Sequence, residues 1–318
     1  MPACSYPQIT QISLCWFPSL RNLRKSVDDR GLDSASGALA LQSGEQMSRF
    51  NFGSVLFLIL VWLGFAGNAF SAGLNFAGVP LSPGATVTAN VPLSDVEKSY
   101  TAEGGNAVPP YTVAMLAVPP GFDPKKTWPV LVAFSSSDHE HQNRDDLRAH
   151  YRRIALAEGW VVLAGDGLAP APRLDSSGWR AGHTLAALDA LNRSFPGSTK
   201  WPVACAGQSG GAKRASYLAP LLALRGYRMA GIFLTGINQE RITDGYHRFN
   251  PGSSFLRTPI FLSSGVNDLV ATIEQQVAVK DSMQRTGFTN IRHETHLYGH
   301  SMSRTHVQEA LRWFRRGS

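Results

Sequence analysis

Cys205-Ala206-Gly207-Gln208-Ser209-Gly210-Gly211-Ala212 is the stretch from which the rest of the chain can be read. The apolar run Pro202–Ala206 before it has the composition of a buried strand. Lys213–Leu224 after it has the spacing of a helix, so Gly-x-Ser-x-Gly falls where a strand turns sharply into a helix. Such a turn holds its serine in a strained conformation at the apex, and side chains larger than hydrogen at Gly207 or Gly211 would collide across the junction. The helix start also directs backbone N–H groups toward the serine, where they favour developing negative charge. A glycine-rich turn that cradles a phosphate is the competing reading. Against it, the stretch has neither the lysine–Ser/Thr pair of a Walker loop nor a Gly-x-Gly-x-x-Gly run.

Outward from this turn, apolar runs of strand length alternate with helical spacing. Strands are expected at Tyr111–Val118, Pro129–Phe134, Trp160–Ala164, Pro202–Ala206, Met229–Leu234, around Ile260–Leu262 and at Ile291–Leu297. Helices are expected at Leu147–Glu158, Arg180–Arg193, Lys213–Leu224, Thr272–Thr286 and Thr305–Phe314. This alternation implies an α/β domain over 111–318, a mainly parallel sheet covered by helices on both faces. Ligands gather at the carboxyl ends of the strands in such sheets. The segment Gly73–Pro110, rich in Gly, Pro, Ser and Thr, reads as an irregular lead-in with one strand at Thr86–Val91.

A serine hydroxyl needs a neighbouring base to become a useful nucleophile. Two strand-end loops after Ser209 supply candidates in the order serine, acid, histidine: Asp268, and His300 within Gly299-His300-Ser301. His300 would take the Ser209 proton and return it to the leaving group. Asp268 would fix the imidazole tautomer and stabilise its cation. Asp244 competes as the acid, whereas Asp166 precedes the serine and fits the order badly. His293 and His296 fall within the last expected strand, and His306 opens the final helix, so polar-face or capping roles suit them better.

One oxyanion donor should be the backbone N–H of Gly210. The other should come from Ser136 and Ser137, in the loop after Pro129–Phe134. His139, Trp179 and His183 are candidates for the substrate pocket, although core packing or helix-end capping explains the last two equally well. Asp138-His139-Glu140-His141 contains His-x-His but shows no clear third ligand, so it is read as a hydrated loop and no metal or cofactor is expected.

Bulk properties set the outer limits. The 318 residues are 43% hydrophobic and only 17% charged, which suits a folded enzyme rather than a disordered chain. The net charge of +7 is scattered, with no dense basic run, and gives no ground for a nucleic-acid partner. After Met47-Ser48-Arg49, the apolar run Val55–Phe65 leads into Ala66-Gly67-Asn68-Ala69-Phe70-Ser71-Ala72, the three parts of a signal peptide cut after Ala69 or Ser71. That run is shorter than the ~20 residues a spanning helix needs, so the membrane matters only through export, to the periplasm or beyond. Residues 47–72 are thus the expected signal peptide and residues 1–46 an extension upstream of the true start at Met47. Cys205 would be the single cysteine left in the mature chain, which excludes an internal disulfide.

From about Tyr111 to Phe314 the sequence resembles the α/β-hydrolase superfamily. Val118-Pro-Pro-Gly-Phe-Asp-Pro-Lys-Lys-Thr-Trp-Pro-Val-Leu-Val132 looks like the corresponding region of the secreted polyhydroxybutyrate-depolymerase-like and feruloyl-esterase-like serine esterases. The resemblance implies a single α/β-hydrolase domain that cleaves esters, or peptide bonds, through an acyl-enzyme and without a cofactor. Carried over by position, the serine is Ser209, the acid Asp268 and the histidine His300. Many relatives have His-Gly-Gly where this chain has Ser135-Ser136-Ser137. With no polymer-binding module visible, a small-molecule ester is the expected partner. Two other readings stay open. One is a serine aminopeptidase-like peptidase using Asp138 or Glu140 to hold an amine, and the other is a non-catalytic binding protein on the same fold.

Overall fold

The computed structural model describes residues 73–136, 142–167 and 177–317. The expected extension and signal peptide (1–72), and Ser137 and His139, lie outside the described residues. In chain order, a short hairpin of β1 (Asn75–Phe76) and β2 (Val79–Pro80) leads to β3 (Thr86–Pro92), α1 (Asp95–Thr101), β4 (Tyr111–Ala117) and β5 (Val130–Phe134). Next, α2 (Asn143–Asp146) passes through one π-helical turn (Leu147–Tyr151) into α3 (Arg152–Ala157), followed by β6 (Val161–Asp166) and α4 (Ser177–Ser194). The remainder is β7 (Val203–Gln208), α5 (Gly210–Leu224), β8 (Met229–Thr235), α6 (Ile242–Phe249), β9 (Ile260–Gly265), α7 (Ile273–Thr286), β10 (Ile291–His296) and α8 (Arg304–Arg316).

Eight strands form one sheet in the order β10-β9-β8-β7-β5-β6-β4-β3. The six from β10 to β6 are parallel, while β4 pairs antiparallel with both β6 and β3. The expected mainly parallel sheet is therefore present, with an antiparallel margin. Alternation along a strand divides the core in two. Val130, Val132 and Phe134 of β5 join Leu185 and Leu188 of α4 and Leu218 and Leu221 of α5 on one face. Leu131 and Ala133 join Tyr151, Ala155 of α3 and Leu311 and Phe314 of α8 on the other. Both faces of β5 are buried, which is why its sequence reads Val-Leu-Val-Ala-Phe without a polar alternate. No helix among the described residues is long and apolar enough to cross a membrane.

Two helices fall where the sequence reading placed none. The lead-in carries α1, begun by a capping box in which Ser94 accepts from the Glu97 N–H and Glu97 accepts from the Ser94 N–H. After β8, α6 carries Asp244, whose carboxylate pairs with Arg241 at 2.9 Å one turn away. Asp244 is thus on a helix surface rather than at a strand end.

Helix α8 closes the sheet by pressing fully buried Phe314 over Gly231 of β8, where an added Cβ would come within 2.2 Å of the ring. Truncation of Phe314 to alanine removes that filler, and the pocket cannot collapse against a rigid sheet. The expected loss is about 3–5 kcal/mol of unfolding free energy in urea titrations. A loss below about 1 kcal/mol would show that α8 does not anchor this face.

Candidate active site

The strand β7 ends at Gln208, and the chain reverses into α5 through Ser209, which has φ 54° and ψ −121°. Side chains other than glycine avoid positive φ, so this conformation is held by its surroundings. The Ser209 N–H donates to Thr235 O at 2.9 Å, fastening the turn to the end of β8. A Cβ at Gly207 would stand 2.2 Å from the carbonyl of Gly211, and a Cβ at Gly211 would stand 2.1 Å from Phe134 O. Glycine at both positions is a steric requirement of the turn. Gly210 is the first residue of α5, so its N–H precedes the first intrahelical bond and faces outward at the positive end of the helix.

Asp268 and His300 meet beside this turn. Asp268 follows β9, and its side chain is 1% exposed. One oxygen, Oδ1, accepts from the N–H groups of Val270 and Ala271, both at 2.8 Å, and Oδ2 faces His300 Nδ1 at 2.8 Å. Burial alone would raise the carboxyl pKa. The N–H bonds from Ala271 and Val270 and the bond from His300 outweigh it, so the group lies below the ordinary aspartate value. An ionised Asp268 accepts from Nδ1–H, which leaves Nε2 as the ring nitrogen turned away from the carboxylate.

Three contacts place the imidazole at the serine's strand end. Gln208 Nε2 donates to His300 O at 3.2 Å. A Cβ on Gly236, the residue after the Thr235 that holds Ser209, would be 3.0 Å from His300 Cε1 and 3.5 Å from Asp268 Oδ2. Gly265 has no side chain to push away the returning loop, since a Cβ there would meet Gly299 O at 2.4 Å. The structure thus joins Asp268 to His300, while Ser209 Oγ makes no hydrogen bond to the ring. Catalytic hydrogen bonds are commonly long without substrate and tighten when it binds. A cavity of about 420 Å³ opens on this side, lined by His150, Gln208, His300, Ser301, Met302 and Arg304.

Opposite Gly210 runs the segment after β5. The Ser135 N–H donates to Asn143 Oδ1 at 3.0 Å and is therefore already engaged. Arg214 of α5 donates through Nη1 to Ser135 O at 3.0 Å and to Ser136 O at 2.9 Å. Ser136 lies directly against the turn, because a Cβ on Gly210 would stand 2.4 Å from its carbonyl oxygen. Sequence reading missed both Arg214 and Asn143. Arg214 lies five positions after Ser209, on the helix that the motif itself begins, but its partners are backbone carbonyls, which leave no pattern in the sequence.

The sequence matches no protein-family model and no curated protein. Solved structures do match. A bacterial heroin esterase aligns with TM-score 0.51 at 16% identity, over 83% of this chain and 90% of its own. A ferulic acid esterase aligns with TM-score 0.52 at 13% identity, over 76% of this chain and 99% of its own. An esterase of Pyrobaculum calidifontis aligns with TM-score 0.51 at 13% identity, over 74% and 86%. The fold is that of the α/β-hydrolases.

In the α/β-hydrolase frame the remaining candidates take definite places. Trp179 and His183 of α4 are interior residues, 1% and 0% exposed, with ring centroids 4.6 Å apart. His183 Nδ1 pairs with Thr112 Oγ1 at 2.6 Å, and burial, helped by nearby Arg180, pushes its pKa down to about 3. His183 is consequently a neutral core histidine. Asp166 receives the N–H groups of Asn143 and Arg144 at 2.8 and 3.0 Å, so it holds the start of α2. His293 pairs with Ser264 Oγ at 2.8 Å, and His306 with Ser263 Oγ at 2.9 Å, which ties both to β9. Among the described residues, no cluster of His, Cys, Asp or Glu could hold a metal ion.

The depressed pKa of Asp268 links the site to acid stability. A carboxyl whose folded pKa lies below its unfolded value stabilises the fold fully above the unfolded value, and that stabilisation disappears as pH falls through the folded one. Thermal melts between about pH 2 and 6 should show a smaller acid loss for Asp268→Asn than for the parent. Parallel curves would mean that the pairing is not formed in solution.

Proposed function

We propose that the chain is a serine hydrolase that cleaves small carboxylic esters through an acyl-enzyme. The observation that carries this reading is the pairing of buried Asp268 with half-buried His300 beside a serine held at positive φ on a strand–helix turn. In this mechanism Ser209 Oγ attacks the ester carbonyl as His300 Nε2 removes its proton. The carbonyl oxygen becomes an oxyanion that accepts from the N–H of Gly210 and from the segment containing Ser136 and Ser137. Engagement of the Ser135 N–H by Asn143 narrows the second donor to the residues after it. His300 then protonates the departing alcohol, and a water activated by the same nitrogen releases the acid. The structural neighbours named as esterases support the ester class, and the 420 Å³ cavity beside His300 has room for a modest alcohol or acyl group.

Replacement of Ser209 by alanine should lower turnover of p-nitrophenyl acetate by at least about a thousandfold, and should abolish labelling by a fluorophosphonate probe, with the melting temperature kept. Unchanged turnover would overturn the assignment. The N-terminal sequence supports export as well, with 47–72 as the signal peptide. Intact-mass measurement of the protein made in its host should then give a chain starting at Phe70 or Ala72. Recovery of any peptide from Leu20–Gln46 would refute a start at Met47.

A further inference from the structure

We propose that Arg214 is a positioning residue that sets the oxyanion segment, holding its carbonyls so that its N–H groups face the developing oxyanion. This rests on the serine-hydrolase reading above. It adds to that reading a side chain that never touches the substrate.

The segment after β5 has no glycine to widen its backbone choices, since it reads Ser135-Ser136-Ser137. Two neighbours shape it instead. On its inner side Asn143 Oδ1 takes the Ser135 N–H at 3.0 Å. Asn143 is itself fixed, because its own N–H donates to Asp166, its Nδ2 donates to Gly165 O at 3.2 Å, and Arg180 Nη1 donates to its Oδ1. On the elbow side a single nitrogen of Arg214 holds both Ser135 O and Ser136 O, at 3.0 and 2.9 Å. In a planar trans peptide the C=O and the following N–H point in opposite directions. Drawing the Ser135 carbonyl onto Arg214 therefore turns the Ser136 N–H away from the guanidinium. The Ser136 carbonyl also lies against Gly210, whose N–H is the other expected donor.

Arg214 stands on α5, the helix that Ser209 begins, so one rigid element carries both the nucleophile and the clamp for the segment facing it. Burial lowers the guanidinium pKa to about 10, which leaves it cationic at neutral pH. The guanidinium also adds positive potential near the developing oxyanion without needing to contact it.

The experiment compares the parent with Arg214→Ala and Arg214→Lys, using p-nitrophenyl acetate kinetics and the rate of fluorophosphonate labelling. Loss of the clamp should lower kcat and the labelling rate by about 10–100-fold while KM changes by less than about threefold, because the oxyanion forms only after the substrate is bound. Added guanidinium ion should restore part of the lost kcat in Arg214→Ala and none in Ser209→Ala. The lysine variant, which keeps charge and stem, should fold as the parent does and still lose rate, since an ammonium cannot reproduce a planar donor fork. Parent-like kcat and labelling in either folded variant would overturn the proposal, as would a loss confined to KM. A parent protein that fails to label at all would instead overturn the serine-hydrolase reading, so the two failures are distinguishable.

Discussion

The close approach of the first turn of α5 to the ends of β5 and β7 is the constraint on which the rest of the structure depends. With carbonyl carbon and oxygen atoms only 2.1–2.2 Å from where side chains would begin at Gly207 and Gly211, strand and helix meet backbone to backbone. That contact forces the connecting residue into positive φ and lifts Ser209 above the sheet end. A looser junction would relieve the strain but let the serine sink among the strands. The surrounding sheet holds the strain by burying both faces of β5 and β7. Ser209 is further tied through its own N–H to Thr235 of the next strand. The turn is therefore built where small backbone shifts are costly.

Polar groups around the turn are arranged so that each backbone group has one evident task. Asp268 gives one oxygen to two N–H groups of its own loop and the other to His300, and so cannot rotate without breaking all three bonds. Asn143, Asp166 and Arg180 form a buried network under the segment after β5, in which the charge of Arg180 is set against that of Asp166. Buried polar networks of this kind are costly when any member is missing and rigid when complete. Here the network ends at the Ser135 N–H and hands over to Arg214 at the Ser135 carbonyl, so one residue of the segment is fixed from both sides.

Much of this organisation could be read from the sequence, and the reasons are local. The elbow was legible because its requirement is steric and is written in five adjacent residues. The strands were legible because burial on both faces leaves unbroken runs such as Val-Leu-Val-Ala-Phe at 130–134. Asp268 and His300 could be picked out as neighbours because both lie in loops that follow strands, and a parallel sheet brings such loops to one rim. Helix α1 went unread although Ser94 and Glu97 have capping-box spacing, because no apolar periodicity accompanies them over a helix of seven residues. Asp244 competed as an acid because α6 begins seven residues after β8 with no strong start signal, its N-cap Arg241 making no side-chain cap. Arg214 and Asn143 were out of reach for a different reason. Their partners are backbone carbonyls and N–H groups tens of residues away, and no residue pattern records a contact with a backbone group.

The same distinction bears on how the three serines after β5 can replace the glycines common in similar enzymes. Glycine serves such a loop by allowing the backbone to take up whatever conformation points its N–H groups at the substrate. Serine cannot offer that freedom, but a loop fixed by side chains from its neighbours does not need it. Asn143 removes one N–H from play, Arg214 fixes two carbonyls, and the glycine is instead found across the gap at 210, where its missing side chain lets the Ser136 carbonyl approach. What Gly210 supplies on the helix side is space rather than backbone freedom. On this view the departure from the usual loop sequence and the presence of a half-buried arginine on α5 are two sides of one physical solution.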